Sequence, residues 1–250
     1  MFATEERDRI RAHLLDQARA DPAVVGAAII GSHAADRSDR WSDIDVTFAI
    51  EGDLDAVLER WTRRLYGDFA ALHHWDLRAG ATIYRVFLLP GWLEVDIAFA
   101  PAAEFGPRGP NWRAVFGRPS KVEPVALPRG DHLTGLAWHH ALHARACIER
   151  RRWWQAEYWI SAVRDQVLAL ACLRLGHPTE YAKGAHLLPE QLTAPLEATL
   201  VRSLDEAELR RALAAAATVL ATELAYTDPA LATRLRPMLA ELGAAGHPTG

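Results

Sequence analysis

Cysteine is nearly absent from this 250-residue chain, which has only Cys147 and Cys172. Two thiols exclude a disulfide framework and a Cys-rich zinc site, and they fit a reducing compartment. Long apolar runs are missing too. The most apolar stretch, residues 212–221, is Ala-rich and far below the ~20 residues that a bilayer span needs. The first 21 residues mix acids and bases (Glu5, Glu6, Arg7, Asp8, Arg9, Arg11), unlike the basic-then-apolar layout of a secretory signal. The expectation is a soluble, cytoplasmic protein with no membrane partner. Positive charge is not in excess either: 28 Lys+Arg stand against 32 Asp+Glu, a formal net charge of -4. Duplex nucleic acid needs a broad positive surface to replace its counterions, and single strands need basic grooves studded with aromatics. Nucleic acid is therefore excluded as a main partner, while a small or anionic-headed ligand remains open.

What is present divides in two. In the first half, residues 5–20 carry apolar side chains at helical spacing (Ile10, Leu14, Ala18) and stop at Asp21-Pro22, because the residue before proline disfavours helix. Val24–Ile30 is a short run with β-branched residues at both ends, closed by Gly31, and reads as a buried strand. Ile44–Ile50 reads as a second strand, residues 53–66 as a helix, and Thr82–Leu89 with 92–99 as a hairpin across Pro90-Gly91. Residues 101–130 are rich in Pro and Gly and read as a linker or wrapped loop.

The second half is helical. Asp131 caps a helix running to residue 150, and Trp153–Leu175 is a second that stops at Gly176 and Pro178. Ser203 with Glu206 forms a capping pair opening 204–226, and Asp228-Pro229 opens the last helix. The expected fold class is α+β: an N-terminal mixed-sheet domain (1–105), a linker (106–130), a C-terminal helical bundle domain (131–243) and a flexible tail (244–250).

The informative constellation is Ile30-Gly31-Ser32, ten further residues, Asp43-Ile44-Asp45-Val46, and a later Val95-Asp96-Ile97. Residues two apart on a strand share a face, so Asp43 and Asp45 present paired carboxylates while Ile44 and Val46 pack inward. Adjacent anions repel unless a divalent cation neutralises them, and hard carboxylate oxygens suit Mg²⁺, which also binds substrate phosphates. If the hairpin lies beside the Asp43 strand, Asp96 adds a third carboxylate, and three can hold two metal ions. That set equips a site for in-line displacement at phosphorus. Gly31 lets backbone approach a phosphate closely, and Ser32 adds a hydroxyl donor. The competing reading is a surface turn rich in Asp followed by an ordinary strand.

Gly31-Ser32, the gap ending in Ser42, Asp43-Ile44-Asp45 and the distal Asp96 resemble the signature of the DNA polymerase beta-like nucleotidyltransferase superfamily. With its helical second half, the chain most resembles the nucleotidyltransferases that adenylylate aminoglycoside or lincosamide antibiotics. The resemblance implies that Asp43, Asp45 and Asp96 hold Mg²⁺, that Gly31 and Ser32 contact the triphosphate of ATP, and that the site lies between the two halves. One departure is visible: relatives often carry Gly where this chain has Asp36, in a charged loop that also holds Arg37 and Arg40. Arg37 is expected to contact the nucleotide, and Lys183 occupies the place where related enzymes present a lysine to the phosphates.

The acceptor hydroxyl must lose a proton, for which a positioned carboxylate suits. On the helix after Trp153, the residues Glu157, Ser161, Arg164 and Asp165 form one polar stripe, and Glu157 resembles the glutamate base that helical domains of such enzymes supply. A solvated helix acid or an ion-pair partner is the equal alternative. Glu94 shares strand parity with Asp96 and is a lesser candidate. His139 and His143 have i, i+4 spacing without a wider zinc motif, Arg150-Arg151-Arg152 reads as a solvated helix end, and Trp153, Trp154 and Trp159 read chiefly as core. The expected activity is transfer of AMP from ATP to a hydroxyl of a small molecule, foremost an aminoglycoside-type antibiotic, with release of pyrophosphate. The alternatives are a lincosamide acceptor, a protein acceptor of the toxin–antitoxin type, or a binding module without catalysis. Monomer and homodimer both remain open.

Overall fold

Helix α1 (Thr4–Ala20) buries Arg7, Leu14 and Ala18 along one face and ends at Asp21, whose extended backbone (φ -85, ψ 115) is what a following proline demands. It opens the first of two compact units into which the computed structural model divides, one reaching Val125 and the other starting at Ala126. Residues 2–242 are described; the expected flexible tail, 244–250, lies outside them.

After α1 come β1 (Val24–Ile30), a helical turn α2 (Gly31–Ala34), β2 (Ile44–Ile50), α3 (Leu54–Asp68), β3 (His73–Ala79), β4 (Thr82–Leu89), β5 (Leu93–Pro101) and β6 (Trp112–Phe116). The six strands form one sheet in the order β3-β4-β5-β2-β1-β6. All neighbours are antiparallel except β2 and β5, so the sheet is mixed. The β4–β5 hairpin turns at Pro90–Trp92, where Gly91 supplies the positive φ of 74° that the turn requires. The parallel β2–β5 pair sets Asp45 directly opposite Asp96.

One face of the sheet presents Ile44, Val46, Phe48, Val95, Ile97 and Phe99 to Leu14 of α1 and to Val57, Trp61 and Leu65 of α3. The rings of Phe48, Trp61 and Phe99 form its centre, with centroids 4.8 to 6.4 Å apart. Buried Asp21 ties α1 to α3, accepting from Trp61 Nε1 at 3.1 Å and from Arg60 at 2.9 and 3.1 Å. By strand alternation the acids Asp45, Glu94 and Asp96 belong to the other face.

Two strands differ from the sequence reading. The stretch expected as a linker contributes β6, which pairs with β1 through Ala28↔Ala114 and Ile30↔Trp112; its flanking Gly and Pro mask a run of only five residues. Strand β3 is exposed at six of its seven positions, so it has no apolar alternation to read. It is held by its ladder to β4 and by the two-pronged Arg85–Asp76 pair at 2.6 and 2.7 Å.

The second unit contains α4 (Gly130–Glu149), α5 (Trp153–Leu175), α6 (Glu190–Glu197), α7 (Glu206–Thr227) and α8 (Pro229–Leu242). Small residues on α4 (Ala137, Ala141, Ala144) let α5 and α7 approach closely, and Ile160, Val163, Leu213 and Leu220 fill the core between them. Helix α5 ends at Gly176 in the left-handed region, φ 73°. Helix α7 starts two residues later than the capping pair suggests. Asp205, not Ser203, is its cap and accepts from Glu208 N at 2.9 Å, while the Ser203 hydroxyl donates to Asp205. The short α6, with Pro195 inside it, has no sequence signal strong enough to read. The protein is thus α+β, with a six-stranded mixed sheet followed by a helical region. Among the described residues no helix is long and apolar enough to cross a membrane.

Candidate active site

The acidic cluster is built by the parallel strand pair. Asp45 and Asp96 stand opposite one another in register, and Asp43 lies just before β2, on the same parity as Asp45. All three are half-buried. Burial is the main cause that lifts the Asp96 carboxyl to about 7, with the charges of Glu94 and Asp43 adding to it. Glu94, though exposed as a residue, is also raised, first by partial desolvation of its carboxyl and then by Asp43. Four acids, Asp43, Asp45, Glu94 and Asp96, therefore converge on one region of the sheet. Asp96 Oδ1 is withdrawn from solvent with no hydrogen-bond partner.

Gly31-Ser32 closes this region from the β1 side. Gly31 has φ +66°, and a Cβ there would collide with Oδ2 of Asp45. Only glycine meets both demands, since a side chain would meet backbone strain and expel the carboxylate. The hydroxyl of Ser32, the next residue, is the second buried polar atom here without a partner. Groups of this kind cost free energy when nothing satisfies them, so both point to a ligand that offers positive charge and acceptor oxygens.

The loop between α2 and β2 is tied at several points. Arg37 N donates to Ser32 O at 3.0 Å, and the exposed Arg37 side chain reaches Asn111 Oδ1 at 3.4 Å. Asp36 has φ 52°, a left-handed backbone that Asp tolerates better than most residues. Its carboxylate accepts from Arg113 at 3.0 Å, and Arg113 also donates to His33 O at 3.1 Å. The loop thus holds a left-handed turn at Asp36 that an ion pair fastens. His33 itself is buried, its pKa lowered by that burial and by the nearby Arg11 and Arg7 cations. Arg11 Nη1 lies 2.7 Å from His33 Nδ1.

Sequence reasoning passes over Arg7, which is only 2 % exposed and holds the far end of the same loop. One signal exists. Arg7 shares a helix face with Leu14 and Ala18 at i+7 and i+11 spacing, a face that burial then claims.

Two expected site residues lie in the helical unit. Half-buried Glu157 accepts from Ser161 Oγ at 2.7 Å, and Arg164 donates to the same hydroxyl at 2.9 Å and to Thr199 O at 3.4 Å. Lys183 is exposed, with Nζ 5.8 Å from the ring centroid of Tyr181. Tyr181 and Ala182 both adopt positive φ (51° and 55°). This bend borders a hollow of the helical unit lined by Asp165, Gln166, Thr179 and Tyr181. His139 and His143 are exposed with ring centroids 4.4 Å apart, and His143 stacks on Trp159.

Among the described residues, no group of three or more His, Cys, Asp or Glu is arranged as it stands to hold a metal ion. Mg²⁺ does not require such a cage, because it keeps several waters and is usually bound by one or two carboxylates together with substrate phosphates. The orphaned Asp96 Oδ1 and the facing Asp45 fit that mode of binding.

No protein-family model matches the chain, and no curated protein matches it in sequence. Among solved structures, an aminoglycoside 6-adenyltransferase from Bacillus subtilis matches with a TM-score of 0.42 and 13% identity, over 98% of this chain and 100% of that one. A likeness at this level identifies neither a family nor a substrate.

Proposed function

We propose that the protein is a Mg²⁺-dependent nucleotidyltransferase that moves AMP from ATP onto a hydroxyl of a small molecule, with pyrophosphate leaving. One observation carries this reading. Asp45 and Asp96 face each other across a parallel strand pair beside Gly31-Ser32, with Asp96 Oδ1 and the Ser32 hydroxyl both buried and unpartnered. Asp43, Asp45 and Asp96 would hold the cation, which when bound supplies positive charge against the phosphate oxygens. Gly31 and Ser32 are proposed to contact the phosphates, the Ser32 hydroxyl donating to a phosphate oxygen. Arg37 and Lys183 are proposed as further phosphate contacts.

Glu157 is proposed to take the proton from the acceptor hydroxyl. Its bond from Ser161 orients the carboxylate and leaves a second oxygen open to a substrate. A cationic acceptor of the aminoglycoside type suits the reading best, because an acidic site draws positive ligands. Lincosamides and protein side chains are the other acceptors to be screened.

Labelled ATP with Mg²⁺ and a panel of aminoglycosides and lincosamides tests the reading. The expected result is labelled product that disappears in the Asp43→Asn, Asp45→Asn double variant; product that persists there refutes the assigned residues. In the same assay Glu157→Gln should lower kcat by about a hundredfold, with KM for ATP unchanged, if it is the base. A variant whose kcat is unchanged assigns Glu157 to the Ser161–Arg164 chain alone.

A further inference from the structure

We infer that Arg7 is a positioning residue for Asp43: a buried cation on α1 that fixes the backbone from which the site's first carboxylate projects. The inference rests on the nucleotidyl-transfer reading and adds a residue to that same site.

Arg7 is among the largest fully buried side chains of the protein, although it sits near the start of a helix whose neighbouring positions Glu5, Glu6 and Arg9 are exposed. A buried guanidinium is costly to desolvate unless its donors are used. Here Nε meets Asp8 Oδ1 at 3.2 Å, and Nη1 donates to the carbonyl oxygens of Asp39 and Ser42, the latter at 3.1 Å. Asp8 is itself 43% exposed, so it compensates the charge only in part. Leu14 and Ala18, on the same face of the helix, are apolar and pack into the core.

The two carbonyls explain the arginine. Ser42 C=O belongs to the peptide bond that leads into Asp43, so holding that oxygen fixes the peptide plane on which the Asp43 side chain depends. The rest of the loop is exposed from Asp36 to Trp41; its start is tied to the β6 side by Arg113 on Asp36 and by Arg37 on Asn111, while the part next to Asp43 has local ties, with Asp39 N donating to Ser42 Oγ at 2.9 Å and Trp41 N to Asp39 Oδ1 at 2.8 Å. These bonds shape the turn, and Arg7 joins it to α1. Without that grip, Asp43 would hang from a surface loop while Asp45 and Asp96 stay fixed in strands. A site that needs its charged groups held within a fraction of an ångström relies on such supporting contacts.

The test uses the full chain in the variants Arg7→Met and Arg7→Lys, with Arg60→Met as a control that weakens the Asp21 tie elsewhere in the same unit. Mn²⁺ serves as the probe, its binding followed by electron paramagnetic resonance per folded molecule. Deuterium uptake across residues 39–43 is measured in metal-free protein. Arg7→Met should take up deuterium faster at 39–43 and bind Mn²⁺ at least tenfold more weakly. Arg7→Lys, which keeps the charge and some donors, should fall between it and the parent. Arg60→Met should melt lower with Mn²⁺ affinity unchanged. If Arg7→Met does not fold, Arg7→Lys decides. A folded Arg7 variant that binds Mn²⁺ as tightly as the parent overturns the positioning role, whatever its exchange. A parent protein that binds no Mn²⁺ with ATP or without it overturns the nucleotidyl-transfer reading, and this one with it.

Discussion

Two carboxylates, one in each unit, have opposite surroundings. Glu223 on α7 is 3 % exposed and receives both prongs of Arg174, at 2.8 and 2.9 Å. Asp96 on β5 receives no hydrogen bond at its buried Oδ1, and its nearest charged neighbours include Glu94 and Asp43, which share its sign. The first arrangement closes a charge inside the fold and contributes stability. The second leaves free energy to be recovered only when something positive arrives, which marks a functional site more than a structural one. Asp21 sharpens the contrast, because it lies in the same sheet unit as Asp96 and is fully buried, yet has Arg60, Arg64 and Trp61 around it.

The comparison can be broken at either end. Asp45→Asn should reduce nucleotide transfer about a thousandfold, the several kcal/mol that metal-assisted charge stabilisation supplies, while its melting temperature stays near that of the parent. A variant with more than a tenth of parental turnover would place the chemistry elsewhere. Arg174→Met should do the reverse. Leaving Glu223 buried without its partner should cost about 3 kcal/mol or more in denaturant unfolding, with turnover per folded molecule unchanged. Gly31→Ala sits between the two, since it loads a left-handed backbone and pushes on Asp45. It should lose about 1–3 kcal/mol of stability, together with a weaker Mg²⁺ requirement curve, read from activity against Mg²⁺ concentration. Equal Mg²⁺ half-saturation in Gly31→Ala and parent would show that the close approach to Asp45 does not matter for the cation.

Much of this contrast is legible in the sequence. Gly31-Ser32, Asp43, Asp45 and Asp96 stand out because Asp45 and Asp96 are each framed by apolar residues that must go inward, which leaves their carboxylates, and Asp43 two residues before Asp45, a defined face. Helix α5 is legible end to end because Gly176 stops it in a conformation that glycine adopts freely. Strand β3 is not, since an edge strand exposed on both faces carries no period. Strand β6 is hidden for a different reason: it is five residues among prolines and glycines, and only its partner β1 makes it a strand. Arg7 lies beyond composition altogether. Arginine is ordinarily exposed, and what buries this one is a pair of carbonyls more than thirty residues away. The polar stripe on α5 is visible, but its internal bonds, Ser161 to Glu157 and Arg164 to Ser161, depend on rotamers that spacing does not encode.

The most direct measurement is the stability of metal-free protein against pH, in the parent and in Asp96→Asn, with and without Mg²⁺ and ATP. Asp96 titrates at about 7 in the fold, against 3.8 for an ordinary, solvated Asp. Its contribution to stability is therefore fully present below pH 3.8 and is lost as pH rises through about 7. The shift of about three units corresponds to an upper bound of about 4 kcal/mol by pH 8. Asp96→Asn should remove that decline and be the more stable protein at pH 8 without metal. Mg²⁺ with ATP should stabilise the parent at pH 8 and leave the variant little changed. Parallel pH profiles for the two proteins, with no response of the parent to Mg²⁺ and ATP, would contradict the account.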